Sequence, residues 1–230
     1  MEIRENLNKV REMVAEAAAG CGRNPDEIKI VAVSKRFPAE RIIQASEAGQ
    51  VLFGENMVQE AQGKAGQLAG RRIEWHLIGH LQSNKARVAA RVFDCIQTVD
   101  RESIALKLNG LAGEFGREIA VLVQVNVGGE EQKSGIEPEA AGGLVSVIDE
   151  CPFLRLKGLM TIPPWSEDSG DSRIYFRRLR EIRDNLNLGR SEPLVELSMG
   201  MSHDFVEAIQ EGATMIRVGT AIFGTRPPRA

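Results

Sequence analysis

The sequence places a lysine directly after an apolar run, where its side chain could act as a nucleophile. Lys35 follows the segment Val-Ala-Val-Ser at residues 31–34, so its amine is expected at the end of a buried strand. Desolvation there disfavours the ammonium form, and a nearby cation such as Arg217 would act in the same direction. A neutral amine can attack an aldehyde to form a Schiff base. The position alone also fits a solvated lysine or one paired with Glu55.

Two glycine-containing segments near the C-terminus have the composition of a phosphate site. Ser-Met-Gly-Met-Ser-His-Asp at residues 198–204 runs from a predicted strand into a helix that begins close to His203, and Arg-Val-Gly-Thr at residues 217–220 follows the next strand. Small residues let backbone amides approach an anion, and barrels often bind phosphate after their seventh and eighth strands. Ordinary turn and capping chemistry is the alternative. Two such segments in succession favour the phosphate interpretation.

Two histidines are spaced so that they could bind a metal ion together. His76 and His80 are four residues apart, which places them on one face of a strand. Since neither an acidic nor a cysteine ligand set accompanies them, we expect no bound metal. We instead predict that His76 is packed or hydrogen-bonded and that His80 lies at the rim.

A regular fold must position these residues. The sequence predicts one, because short apolar runs alternate with longer amphipathic stretches. The predicted strands are Ile28–Ser34, Val51–Gly54, Ile73–Ile78, Cys95–Val99, Ile119–Val125, Leu154–Thr161, Leu194–Leu197 and Met215–Val218. The predicted helices between them are Ala39–Ala48, Met57–Leu68, Ser83–Arg91, Glu102–Phe115, Glu137–Glu150, Ile174–Leu186 and His203–Glu211.

The pattern predicts an α/β fold, a single (β/α)8 TIM-type barrel domain over residues 1–230. Near-continuous apolar strands are typical of a parallel sheet buried on both faces, and the first strand lacks the G-x-G-x-x-G turn of a dinucleotide fold. An extra N-terminal helix is expected from the helical spacing of Ile3, Leu7, Val10 and Val14. Active sites of such barrels lie at the C-terminal ends of the strands. The unusual residues collect there, and the polar loops 127–135 and 163–171 also follow strands.

Composition narrows the class of partner. The 230 residues are 43% hydrophobic and 27% charged, with a formal net charge of −3. This near balance argues against a nucleic-acid or anionic-membrane surface and favours a small-molecule partner. The three cysteines are widely spaced, so we expect neither a disulfide framework nor a zinc site. With acidic residues at the N-terminus and no long apolar run, the sequence predicts a soluble, cytoplasmic protein.

Several motifs together resemble one known family. They are Val-Ala-Val-Ser-Lys ending at Lys35, Phe-Gly-Glu-Asn at 53–56, Trp-His-Leu-Ile-Gly-His-Leu-Gln at 75–82, Gly-Leu-Met-Thr-Ile-Pro at 158–163, Leu-Ser-Met-Gly-Met-Ser-His-Asp at 197–204 and Ile-Arg-Val-Gly-Thr-Ala-Ile-Phe-Gly at 216–224. The chain resembles the pyridoxal phosphate homeostasis proteins, which are similar to the N-terminal barrel domain of bacterial alanine racemases. The resemblance spans nearly the whole chain and implies pyridoxal 5′-phosphate as the cofactor.

The resemblance also implies which residues contact the cofactor. Lys35 would hold it as a Schiff base, Arg217 would face the pyridine nitrogen, and Asn56 would flank the ring. The implied phosphate ligands are Ser198, Gly219 and Thr220, with Met199 and Ser202 nearby. A storage, buffering or delivery role follows, with apo forms of pyridoxal-phosphate enzymes as possible recipients and a monomer as the expected state.

Catalysis by this cofactor usually needs a protonated pyridine nitrogen paired with a carboxylate. Arg217 is itself permanently protonated, so it can only donate to an unprotonated nitrogen, which weakens the electron sink. Similar racemases add a tyrosine as a second base, whereas this chain has one tyrosine, Tyr175, on a predicted outer helix. We therefore expect a non-enzymatic binding protein. A minimal racemase and an aldolase-like barrel, in which Lys35 attacks a sugar phosphate, are the alternatives.

Overall fold

Eight parallel strands close into a barrel in the order of the sequence. The structure is a computed structural model that describes residues 2–130 and 134–225. The strands are β1 Lys29–Val33, β2 Leu52–Glu55, β3 Glu74–Leu77, β4 Cys95–Val99, β5 Ile119–Gln124, β6 Leu154–Met160, β7 Glu196–Met201 and β8 Met215–Val218. The barrel closes where β1 pairs with β8, so the predicted TIM-type fold is confirmed. That residues 1–230 form one domain stays a prediction.

Helices surround the barrel. They are α1 Glu2–Gly20, α2 Ala39–Glu47, α3 Val58–Gln67, α4 Ala86–Val92, α5 Glu102–Glu114, α6 Ala141–Asp149, α7 Arg173–Leu186, α8 Phe205–Gln210 and α9 Thr220–Phe223. Short 3-10 turns are Pro25–Glu27, Ser83–Lys85, Pro138–Ala140 and Ser169–Ser172. Each described helix is too short or too polar to cross a membrane.

The predicted N-terminal helix is confirmed as α1. Its residues Ile3, Leu7, Val10 and Val14 are all buried, as their helical spacing requires. This face packs against α2, α8 and α9. The helix thereby joins the first and last βα units, where the barrel closes.

Strand β7 differs from its prediction at both ends. The predicted strand Leu194–Leu197 was wrong, since the strand is Glu196–Met201 and the helix after it begins at Phe205 rather than near His203. Small and polar residues suggested a loop at 198–200, but Ser198 pairs with both Met160 and Met215 in the sheet. The strand continues because barrel closure supplies partners on both sides. Ser198 and Met199 therefore lie within strand β7 and not in the loop at the rim.

The protein has two cores, one between the helices and the barrel and one inside the barrel. The inner core contains Cys95, Leu122 and Met160 as its apolar cluster. A hydrogen bond also joins Gln97 on β4 to Ser198 on β7. These strands are not neighbours in the barrel, so this bond must cross its interior. The centre of the barrel is thus partly polar, unlike the apolar layers typical of this fold.

The backbones of β6 and β7 approach each other closely at Gly158. A Cβ atom at this position would lie 1.9 Å from the carbonyl oxygen of Glu196, so a side chain would force the two strands apart.

We predict that Gly158→Ala lowers the free energy of unfolding by about 3 kcal/mol, because the methyl group overpacks a backbone contact. Gly143, which has open space around its Cβ position on α6, is the matched control. Gly143→Ala should raise stability by about 0.5–1 kcal/mol, since alanine is the better helix former. Urea unfolding of both variants measures the difference, and equal effects would contradict the close strand approach.

Candidate functional site

Lys35 lies at the C-terminal rim of the barrel, in the turn between β1 and α2, and is partly buried. The next residue, Arg36, has a φ of 68°, in the left-handed region that few residues other than glycine adopt. The backbone N–H of Arg36 donates a hydrogen bond to the carboxylate of Glu60. A tertiary contact therefore holds this strained turn and, with it, the backbone of Lys35.

A buried ionic cluster lies beside this turn. The ammonium of Lys64 donates to the Glu55 carboxylate at 2.6 Å, the Glu60 carboxylate at 2.7 Å and the carbonyl oxygen of Ser34 at 2.8 Å. Ser34 in turn donates its hydroxyl to Glu55 at 2.7 Å. We define these four residues, Ser34, Glu55, Glu60 and Lys64, as the rim cluster. It ties the end of β1 to β2 and α3.

Glu55 is the fully buried carboxylate of the rim cluster. Burial raises the pKa of Glu55 to about 7, although the Lys64 ammonium and the Ser34 hydroxyl act in the opposite direction. Within the described part of the chain, its second oxygen, Oε2, has no hydrogen-bond partner. The carboxylate therefore depends on Lys64 for its charge compensation. Sequence reasoning missed Lys64; the only signal was its four-residue spacing from Glu60 on one helix.

Asn56 is placed at the rim by a close backbone contact. It follows β2 directly, and a Cβ atom on Gly79 would lie 2.2 Å from the Asn56 carbonyl oxygen. The carbonyl of Gly79 accepts a hydrogen bond from the hydroxyl of Thr98 at 2.8 Å. Glycine at position 79 therefore lets the ends of β2 and β3 meet, and this fixes the backbone of Asn56 at the mouth.

Arg217 is a charged side chain inside the barrel. Only 3% of its surface is exposed, and its guanidinium donates to the Ser198 hydroxyl and to the carbonyl oxygen of Thr161, both at 2.7 Å. Burial lowers the pKa of Arg217 to about 10, while the Asp204 carboxylate acts in the opposite direction. The group remains protonated at neutral pH. Its five N–H donors suit a hydrogen-bond acceptor at the mouth of the barrel.

The predicted phosphate ligands fall into two groups. Ser202, Gly219 and Thr220 come together, since the Gly219 N–H donates to the Ser202 hydroxyl at 3.3 Å and Thr220 begins α9. Met199 instead packs in the core between the helices and the barrel, and Ser198 is hydrogen-bonded inside the barrel. The first group offers amide and hydroxyl donors at the rim. The cofactor contacts of all five residues stay predictions.

The predictions for His76 on β3 and for His80 after it are both confirmed. His76 is buried, with Nε2 3.0 Å from a Glu74 carboxylate oxygen and Nδ1 2.8 Å from the Gln97 amide nitrogen. His80 is exposed at the rim, with Nδ1 3.3 Å from the Ser134 hydroxyl. Sequence reasoning missed Gln97, although a glutamine in the middle of an apolar strand was a usable signal.

The polar loop at 163–171 carries an exposed aromatic residue. Trp165 is 73% exposed, and the loop is closed by a hydrogen bond of 2.6 Å from the Ser166 hydroxyl to Asp171. The other predicted loop, 127–135, is described except for residues 131–133. Its Ser134 carbonyl accepts a hydrogen bond from the Gln124 side chain at 2.8 Å.

We predict that Lys64→Met destabilises the protein by about 3–5 kcal/mol at a pH above the pKa of Glu55, because it leaves a buried carboxylate uncompensated. Lys64 lowers the pKa of Glu55, so in the variant this pKa lies above 7, and the loss should shrink as the pH falls through it, since protonation removes the charge. Lys107→Met, at an exposed position on α5, is the control and should change stability by no more than about 0.5 kcal/mol. Urea unfolding across pH measures both. A loss that does not vary with pH would show that Glu55 does not depend on Lys64.

Comparison with known proteins identifies the family. The family model described as the N-terminal domain of alanine racemase matches residues 2–227. A pyridoxal phosphate homeostasis protein of Pseudomonas aeruginosa is 45% identical, over 97% of this chain and 96% of that protein. PipY of Synechococcus elongatus, solved with PLP bound, is 36% identical with a TM-score of 0.85, over 96% of this chain and 100% of PipY.

More distant similarity concerns the fold alone. An alanine racemase of Clostridium difficile is 16% identical with a TM-score of 0.74, over 99% of this chain but 57% of that enzyme. This chain thus corresponds to the barrel part of the racemase.

Because the full-length relatives match over nearly their whole length, the chain belongs to the pyridoxal phosphate homeostasis protein family.

Proposed function

We propose that this protein binds pyridoxal 5′-phosphate as a Schiff base with Lys35 and stores, buffers or delivers it without catalysing a reaction of its own. The names of the full-length relatives and the PLP in the PipY structure support the cofactor. The single observation that carries the proposal is the buried guanidinium of Arg217 among neutral oxygens, on the strand that closes the barrel beside β1.

The chemistry of the side chains at the mouth fits the cofactor's groups. The amine of Lys35 suits the aldehyde, and the amide and hydroxyl donors of Ser202, Gly219 and Thr220 suit the phosphate. Arg217 would donate to the pyridine nitrogen, and Asn56 would flank the ring. Ser198 would act through Arg217, to which it is hydrogen-bonded, and Met199 would act only by packing β7 against the helices.

Arg217 also favours holding the cofactor over catalysis. When bound, pyridoxal phosphate can supply an electron sink, and this sink is strong only if the pyridine nitrogen is protonated. A protonated guanidinium has donors only, so it stabilises the unprotonated nitrogen. Tyr175, the one tyrosine of the chain, lies on α7 and packs against the core between the helices and the barrel. It is therefore poorly placed to act as a second base at the rim.

We further propose that the protein is cytoplasmic and monomeric, with apo forms of pyridoxal-phosphate enzymes as recipients. All three cysteines, Cys21, Cys95 and Cys151, are free thiols in the structure, which supports a reducing compartment.

We predict that the purified protein takes up pyridoxal phosphate, turns yellow and retains the cofactor after borohydride reduction, with Lys35 as the modified residue. Lys35→Ala should lose the visible absorbance and the reduced adduct, because the amine that binds the aldehyde is gone. Lys107→Ala removes an exposed lysine on the outer helix α5 and should behave as wild type. Peptide mass spectrometry after reduction identifies the modified lysine.

A reduced adduct on another lysine in Lys35→Ala would refute Lys35 as the anchor, and a protein that takes up no cofactor would refute binding itself. The loaded protein should also leave L-alanine unchanged. D-Alanine formed at many turnovers per protein molecule would favour the racemase alternative over a carrier.

A further inference from the structure

We propose that His76 and Gln97 are positioning residues that act on Arg217 through Ser198, so that protonation of His76 changes how the guanidinium is presented to the bound cofactor. This proposal rests on the proposed function. It concerns an interior hydrogen-bond chain, Glu74–His76–Gln97–Ser198–Arg217, that we call the barrel chain.

The barrel chain is continuous. From the guanidinium of Arg217 the distances are 2.7 Å to the Ser198 hydroxyl, 2.6 Å on to the Gln97 amide oxygen, 2.8 Å from the Gln97 nitrogen to His76 Nδ1, and 3.0 Å from His76 Nε2 to Glu74. Each link joins side chains of β8, β7, β4 and β3 in turn, apart from the last, which lies within β3.

The barrel chain also connects the two ends of the barrel. Arg217, Ser198, Gln97 and His76 are all buried, whereas the Glu74 side chain at the start of β3 is 48% exposed. Parallel strands all begin at the same end, so Glu74 lies at the end opposite Lys35. Protons can therefore exchange between solvent and His76 at the face away from the cofactor mouth.

Donors and acceptors along the barrel chain admit two arrangements. In the first, which matches the orientation of the Gln97 amide in the structure, the Gln97 NH2 group donates to His76 Nδ1, the Ser198 hydroxyl donates to the Gln97 oxygen, and Ser198 accepts from Arg217. This arrangement requires a neutral imidazole with its proton on Nε2, facing Glu74. Gln97 also contacts the sulfur of Met215 at 3.0 Å.

Protonation of His76 reverses the central links. A proton on Nδ1 needs an acceptor, so the Gln97 amide must turn until its oxygen faces His76 and its NH2 group faces Ser198. Ser198 then accepts hydrogen bonds from both Gln97 and Arg217, and its own hydroxyl proton must find another acceptor. The Ser198 oxygen then has a second donor besides the Arg217 guanidinium. The electrostatic surroundings of the guanidinium change as a result.

The charged and titratable groups around His76 set the pH of this change. Burial acts to lower the pKa of His76, but Cys95 on β4 and Glu74 outweigh it and raise the pKa to about 9. Lys29 on β1 acts on Glu74, and the neighbour of His76 on β2 is Gly54, which has no side chain. The change between the two arrangements is therefore expected on the alkaline side of neutral pH.

The test compares the pH dependence of cofactor absorbance with the titration of the histidine. In the loaded wild-type protein we expect a change in the visible band whose midpoint equals that of the His76 imidazole signal in proton NMR. His76→Gln, which cannot titrate, assigns the signal and should abolish this change. Glu74→Gln should lower both midpoints together by about 1 pH unit, because it removes the neighbouring carboxylate.

Glu74 is partly exposed, so its variant tests the proposal even if His76→Gln fails to fold. Glu114→Gln, at an exposed carboxylate on α5, is the control and should leave both midpoints unchanged. An absorbance midpoint that stays fixed while the His76 signal shifts in Glu74→Gln would overturn the coupling and leave cofactor binding intact. A wild-type protein without a visible band would overturn both proposals.

Discussion

The burial of one positive charge inside the barrel governs much of this structure. A charge in a protein interior is costly unless hydrogen bonds replace its hydration. The guanidinium of Arg217 donates hydrogen bonds to two neutral oxygens, one of a side chain and one of the backbone. Three buried polar residues extend this hydrogen bonding. Ser198 is hydrogen-bonded to Gln97, and Gln97 is hydrogen-bonded to His76. The barrel centre therefore has a hydrogen-bonded network where other barrels have apolar layers.

A second set of buried charges organises the rim. Lys64 lies between two carboxylates and a backbone carbonyl, and this arrangement holds the turn that carries Lys35. The two networks approach the mouth from different sides, one from β2 and α3 and the other from β7 and β8. Both would be in place before a ligand arrives. Such preorganisation reduces the ordering cost of binding and suits a protein that holds a reactive small molecule.

The sequence supported the fold well because a parallel barrel is specified mainly by local patterns. Cys95–Val99 and Met215–Val218 have the predicted bounds, and α1 buries the predicted apolar face. Strand β7 was mispredicted because its Ser-Met-Gly-Met segment is strand only by virtue of its neighbours. Local propensity carries no information about those neighbours. The same limit explains why Lys64 and Gln97 were missed: their partners lie on other elements, and only the closed barrel brings them together.

The central claim is that Arg217 keeps the pyridine nitrogen of the bound cofactor unprotonated, which suits holding better than catalysis. Nuclear magnetic resonance of protein loaded with cofactor that is isotopically labelled at the ring nitrogen tests it most directly. We predict the chemical shift of an unprotonated, hydrogen-bonded nitrogen throughout the neutral pH range. In Arg217→Glu, provided that it still binds the cofactor, the shift should move towards that of a protonated ring. A protonated pyridine nitrogen in the wild-type protein would contradict the account.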